Sequence, residues 1–135
     1  MAALYVDAFF YIALINVNDR HHATARALSQ QHAAAAKVTS EPVLVEVFAW
    51  AAARGTYHRR LVLTLLDDLR RDGSTTIVRQ TPALFDAGVE LYGRRPDKGY
   101  SLTDTMSMAV CLDHGIEQVL THDRHFAQEG FEILV

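Results

Sequence analysis

Apolar and polar positions along this chain alternate between two rhythms. Short β-forming runs end at polar residues, and between them apolar residues recur at helical spacing. Ala3 to Val6 reads as a buried strand that stops at Asp7. Phe9, Ile12 and Ala13 then mark a helix, and a second helix is expected from about Arg20 into the alanine tract Ala33 to Ala36. Lys37-Val38-Thr39 is a short second strand. Ser40-Glu41-Pro42 opens the next helix, with Val43, Val47 and Trp50 on its buried face. Gly55 ends that helix, and Tyr57 to Arg71 forms another, with Leu61, Leu65 and Leu69 inward. Thr75 to Val78 is a β-branched strand, and Thr81-Pro82 opens a helix that ends near Gly93. A basic loop, Arg94 to Gly99, leads to an apolar helix starting at Ser101 and stopped by Asp113-His114-Gly115. Gln118 to Thr121 reads as a strand, and Phe126, Gly130 and Phe131 to Val135 as a turn and an edge strand. No repeat, low-complexity tract or linker interrupts this order.

Strands alternating with helices predict an α/β fold around a mainly parallel sheet. The 135 residues, half of them hydrophobic, fit one domain, 1–135. The net charge of −3 does not announce a nucleic-acid surface, but setting aside four of the 16 acids leaves 12 against 13 Lys and Arg. The lone Cys111 sits among Met108, Val110 and Leu112, which favours a buried thiol and a reducing compartment. Ala8 to Ile15 is too short to cross a membrane, and no Lys or Arg precedes Arg20 to begin a signal peptide, so a cytoplasmic, membrane-free protein is expected.

The candidate chemistry lies in isolated carboxylates. In a parallel α/β sheet each helix starts at the carboxyl edge of the preceding strand, where ligands bind. Asp7 and Asp123 follow strands at that edge, Asp104 lies in the first turn of a helix starting there, and Glu46 sits just past one. Two of them also have a purely structural reading: Ser101 and Asp104 fit a capping box, and Glu46 fits a solvated helix face. Gathered into one crevice, the four would repel one another and demand protonation or a cation. Oxygen donors select Mg²⁺ or Mn²⁺ over Zn²⁺; the histidines His21, His22, His122 and His125 leave a zinc or nickel site as the alternative. Acidic clusters holding such ions serve phosphodiester hydrolysis by activating water and stabilising the leaving oxygen. Arg94, Arg95 and Lys98 would lie near the same edge, placed to hold a polyanion, or else form an ordinary solvated loop. A phosphatase using Asp7 as nucleophile is a weaker reading, because Phe9 stands where its second acid belongs.

Val6-Asp7, Thr39-Ser40 with Glu46, Ser101-Leu102-Thr103-Asp104 and Thr121-His122-Asp123-Arg124-His125-Phe126 together resemble the ordered motifs of PIN-domain ribonucleases, especially VapC-like toxins. The resemblance spans nearly the whole chain. It implies a PIN-like three-layer sandwich, Mg²⁺- or Mn²⁺-dependent endoribonuclease activity, homodimerisation, and a small antitoxin that blocks the acidic crevice. It casts Asp7, Glu46 and Asp104 as the core metal-binding acids, Asp123 as the fourth, and Thr121 as the polar support, grouped with Arg94, Arg95 and Lys98 on the substrate side. The departure is Ala8-Phe9, where the family usually carries small hydroxyl or amide residues. That departure motivates the alternative of a catalytically weak or inactive PIN-like module that binds RNA or protein.

Overall fold

The computed structural model describes residues 2–135. Five strands form one sheet: β1 (Leu4–Val6), β2 (Lys37–Ser40), β3 (Thr75–Val78), β4 (Gln118–Leu120) and β5 (Glu132–Ile133). Their order is β3-β2-β1-β4-β5, and every pairing is parallel. Seven helices flank the sheet: α1 (Ala8–Ile15), α2 (His22–Gln31), α3 (Glu41–Ala52), α4 (Thr56–Arg71), α5 (Pro82–Arg94), α6 (Leu102–His114) and α7 (Arg124–Gln128). Right-handed crossovers put α1 to α4, which connect strands running outward to β3, on one face, and α5 to α7 on the other.

Topology follows from which strands are apolar throughout. β1 is buried at all three positions and takes the centre, whereas β3 and β5, only partly buried, take the edges. The chain leaves β1 toward β2 on one side and returns to β4 on the other, so the strand order reverses beside β1 and opens a crevice at its carboxyl end. Tyr5 ties the layers beneath that crevice: its hydroxyl donates to Ser107 Oγ of α6 at 2.8 Å and lies 2.9 Å from Ser40 Oγ. Burial pushes the Tyr5 hydroxyl far above its ordinary pKa, which keeps it neutral as a strut. Thr39 Oγ1 donates to the Val6 carbonyl at 3.0 Å, and the Asp7 amide to that of Leu120 at 3.3 Å, so both neighbours of β1 pin its end.

Three local expectations are corrected. Ala33 to Ala36 is not helix; α2 stops at Gln31 because the chain must turn to lay Lys37 beside β1, and the Lys37 ammonium caps the turn by donating to the carbonyls of His32 and Ala35. The buried stripe of α4 is set by Val62 and Leu65, with Leu61 and Leu69 only partly covered. Between β4 and β5 stands a short helix, α7, rather than a plain turn, and the last strand has only two residues.

Candidate active site

Asp7 follows β1 at the N-cap position of α1, yet its side chain is not used as the helix cap. Instead Asp7 Oδ2 accepts the Thr121 hydroxyl at 2.9 Å, and the carboxylate is only 6% exposed. Burial raises its pKa to about 7, and repulsion from Glu46 and Asp104 pushes the same way, against the Thr121 hydroxyl and the Ala8 amide. The fold therefore places a carboxyl at the crevice floor that is costly to ionise in the bare protein.

Asp104 completes a capping box: Ser101 Oγ accepts from the Asp104 amide, and Asp104 Oδ2 from the Ser101 amide, both at 3.0 Å. The structural and chemical readings of this residue coexist, because capping occupies one oxygen. Oδ2 also takes His125 Nδ1 at 2.8 Å, while Oδ1 has no protein donor among the described residues. Asp123 caps α7 through Oδ1 on the His125 amide at 2.9 Å, and that oxygen lies 3.4 Å from His125 Nδ1. Asp104, Asp123 and His125 present ligand atoms within 4.8 Å of one another. Glu46, on α3, is solvent-accessible but turned to the same cleft, and its pKa is raised by burial and by Asp104, with a Thr103 hydrogen bond opposing.

All four acids line a single open cleft of about 850 Å³, together with Phe9, Ser101, His122, Arg124 and His125. Among the described residues no lysine or arginine pairs with any of them; His125 is the only basic partner. The open Oδ1 of Asp104, the carboxylates that share its cleft and the neighbouring imidazole of His125 form a donor set that could hold a metal ion. Of the four histidines behind the zinc or nickel alternative, His125 is the one whose ring nitrogen gathers with Asp104 and Asp123 among the described residues. His22 Nδ1 is engaged with the Ala13 carbonyl at 2.8 Å, and His21 and His122 stack with Phe9.

The four residues expected on the substrate side, Thr121, Arg95, Lys98 and Arg94, fall in different settings. Thr121 is fully buried, so it cannot touch a substrate; its hydroxyl donates to Asp7 and accepts the Asp123 amide at 3.0 Å, joining the two strand-end acids. Arg95 spends its guanidinium on both oxygens of Glu129, at 3.0 and 2.9 Å. Lys98 pairs with Asp97 at 3.6 Å, and Arg94 lines a separate groove between α5 and α6. The cation that does line the cleft is Arg124, one residue past Asp123. Sequence spacing gives Arg124 no signal beyond its place in the turn that starts α7, and it offers His125 only as a zinc or nickel ligand, not as the partner of Asp104.

Comparison with known proteins places this geometry. A family model described as PIN domain matches residues 4–132. The 23S rRNA-specific endonuclease VapC20 of Mycobacterium tuberculosis is 29% identical over 128 residues, covering 95% of each chain. The crystal structure of that VapC20 superposes with a TM-score of 0.82 at 27% identity over 95% of each chain. DNA-bound VapBC from Salmonella typhimurium, at 14% identity, has a TM-score of 0.68 over 99% of this chain and 98% of that one.

Proposed function

The chain belongs to the PIN domain family, and from that premise we propose that it is a divalent-metal-dependent endoribonuclease, one PIN unit acting as the toxin of a toxin–antitoxin pair. One observation carries the reading: Asp7, Glu46, Asp104 and Asp123 come from four separate parts of the chain to one cleft, and among the described residues no lysine or arginine forms an ion pair with any of them. Its likeness to VapC20, a 23S rRNA-specific endonuclease whose structure is described as that of a Sarcin-Ricin loop cleaving toxin, supports RNA as the substrate and toxicity as the role. The oxygen-rich donor set supports Mg²⁺ or Mn²⁺ as the ion. A cytoplasmic homodimer restrained by a small antitoxin completes the reading.

In this mechanism Asp7, Glu46, Asp104 and Asp123 would hold the ion. When bound, a divalent cation supplies the charge that lets water attack phosphorus and the leaving oxygen depart. Thr121 orients Asp7 and fixes the backbone of Asp123, so that the strand-end acids approach from a set direction. His125 holds Asp104 Oδ2 and leaves Oδ1 for the cation. Arg124, exposed at the rim, offsets the repulsion between the acids and an incoming phosphate.

The test is cleavage of ribosomal RNA by purified protein. Fragments should form with Mg²⁺ or Mn²⁺, vanish with EDTA, return on adding Mn²⁺, and be absent with a folded Asp104→Asn variant. RNA that binds but is never cut with either ion would favour the binding-module alternative instead.

A further inference from the structure

Outside the four acids, an unexplained feature of the cleft is a cluster of rings on its rim. The Phe9 and His122 ring centroids lie 3.6 Å apart with planes tilted by 39°. His21 closes the group, 5.0 Å from Phe9 at 72° and 4.6 Å from His122. Phe9 stands two residues after Asp7, and His122 one before Asp123, so the rings are carried by the same two strand ends that bring those acids to the cleft. Phe9 and His122 line it beside the acids, and all three rings are only partly buried. Beyond them Arg20, exposed, donates from Nε to His21 Nε2 at 3.1 Å.

We propose that Phe9, seated against His122 and edged by His21, is a stacking shelf for one unpaired RNA base next to the scissile phosphate. The inference rests on the nuclease reading and adds to it how substrate is gripped. A cleft of carboxylates repels a phosphate chain, and among the described residues Arg124 is the only Lys or Arg lining it, so uncharged contacts have to add to the little affinity that protein charge supplies. Every base has a π-face, so a ring accepts any of them, with a modest preference for those that stack best. Only a splayed, unpaired nucleotide can reach such a ring while its phosphate enters the acidic site, which selects loops and bulges over duplex. Arg20, past the shelf, lies where the backbone of the stacked nucleotide would continue. Phe9, the residue that departs from the small polar side chains usual after the first acid, thereby serves substrate binding rather than support of Asp7.

The experiment cleaves a random-sequence single-stranded oligoribonucleotide pool with Mn²⁺, alongside ribosomal RNA, and sequences the new ends. Stacking sets the expected scale: Phe9→Leu should lower kcat/KM about 5- to 100-fold, mostly through KM, and flatten the base preference at one position beside the cut, whereas Phe9→Tyr should keep both. A wild type that cuts while Phe9→Leu retains both rate and preference overturns the shelf alone. A wild type inert on both substrates overturns the nuclease reading and the shelf with it. A second measurement leaves Phe9 in place: Asp104→Asn protein is bound to oligoribonucleotides carrying 2-aminopurine at successive positions. One position should be quenched; bound RNA with no quenched position overturns the shelf even where Phe9→Leu fails to fold.

Discussion

The two ends of the acidic cleft treat their carboxylates in opposite ways. At the floor, Asp7 is buried, faces Glu46 and Asp104, and has one hydroxyl for support. At the rim, Asp104 and Asp123 each serve a helix start and share His125. The rim acids would hold their places in a protein that never met a cation, because capping alone justifies them. The floor acid would not. A buried carboxylate with no basic partner costs stability wherever it ionises, and a fold retains such a group where something external compensates. The floor is therefore the better witness to metal dependence, although the rim has the more regular geometry.

Breaking that contrast at Asp7 should give the largest effect. Its folded pKa of about 7 lies above the ordinary 3.8, so the bare folded state binds the proton more tightly than the unfolded chain. Stability from this group is fully present below pH 4, declines as pH rises through 7, and then levels off. At 1.36 kcal/mol per unit the loss reaches about 4 kcal/mol by pH 8 for this 6% exposed group. Asp7→Asn cannot ionise and should escape it. Denaturation in EDTA should find the variant close to wild type at pH 4 and well above it at pH 8, while RNA cleavage by the variant falls to background. Adding Mn²⁺ at pH 8 should stabilise wild type and not the variant; equal responses to Mn²⁺ would remove Asp7 from the ion's ligands.

The distance between floor and rim depends on how closely α6 packs. A Cβ added at Gly88 of α5 would lie 2.5 Å from Met106 Cγ and 3.2 Å from the Met106 backbone nitrogen, two residues past Asp104. The side chain can swing away, but the backbone has to give by a few tenths of an ångström. Gly88→Ala should cost about 1–3 kcal/mol by overpacking, read as a lower melting temperature, despite the better helix propensity of alanine. It should also weaken Mn²⁺ activation, since α6 must move to relieve the clash. At the rim itself, His125→Ala frees Asp104 Oδ2 and should lower cleavage about 10- to 100-fold, with more Mn²⁺ needed for half-maximal rate. Melting should change little, because both capping bonds remain.

Much of the fold and the acidic cluster was legible because period and punctuation carry them. Strands ending at Asp7 and before Asp123, and a capping signature at Ser101 and Asp104, fix where four acids fall once the sheet is parallel. What was not legible depends on interactions between distant residues. Nothing near Arg95 says that its fork will be taken by Glu129, 34 positions on, and only the resemblance, not the residues around it, marks Thr121 as a support of the site. Polar residues close to a site look alike in sequence whether they face substrate or support a ligand. The alanine tract misled for a related reason: its propensity is helical, but the register of β2 against β1 requires it to turn.

The smallest expected effect separates two arginines, Arg124 in the cleft and Arg95 in the loop before Ser101. Arg124 lines it and is exposed, whereas Arg95 is held in a two-pronged pair by Glu129, whose Oε1 also accepts the Tyr100 hydroxyl at 3.0 Å. The pair pulls the Glu129 carboxyl below its usual range, so Arg95 meets a full negative charge at neutral pH and offers no spare charge to RNA. Removing one cation that neutralises a phosphate should reduce the slope of log affinity against log salt by about 0.7 to 1. With cleavage-dead Asp104→Asn as background, adding Arg124→Gln should weaken RNA binding a few-fold and flatten the salt slope by about that amount. Adding Arg95→Gln should leave that slope unchanged. A slope that changes for Arg95→Gln and not for Arg124→Gln would move the path of the RNA from the α7 side of the cleft to the loop before Ser101.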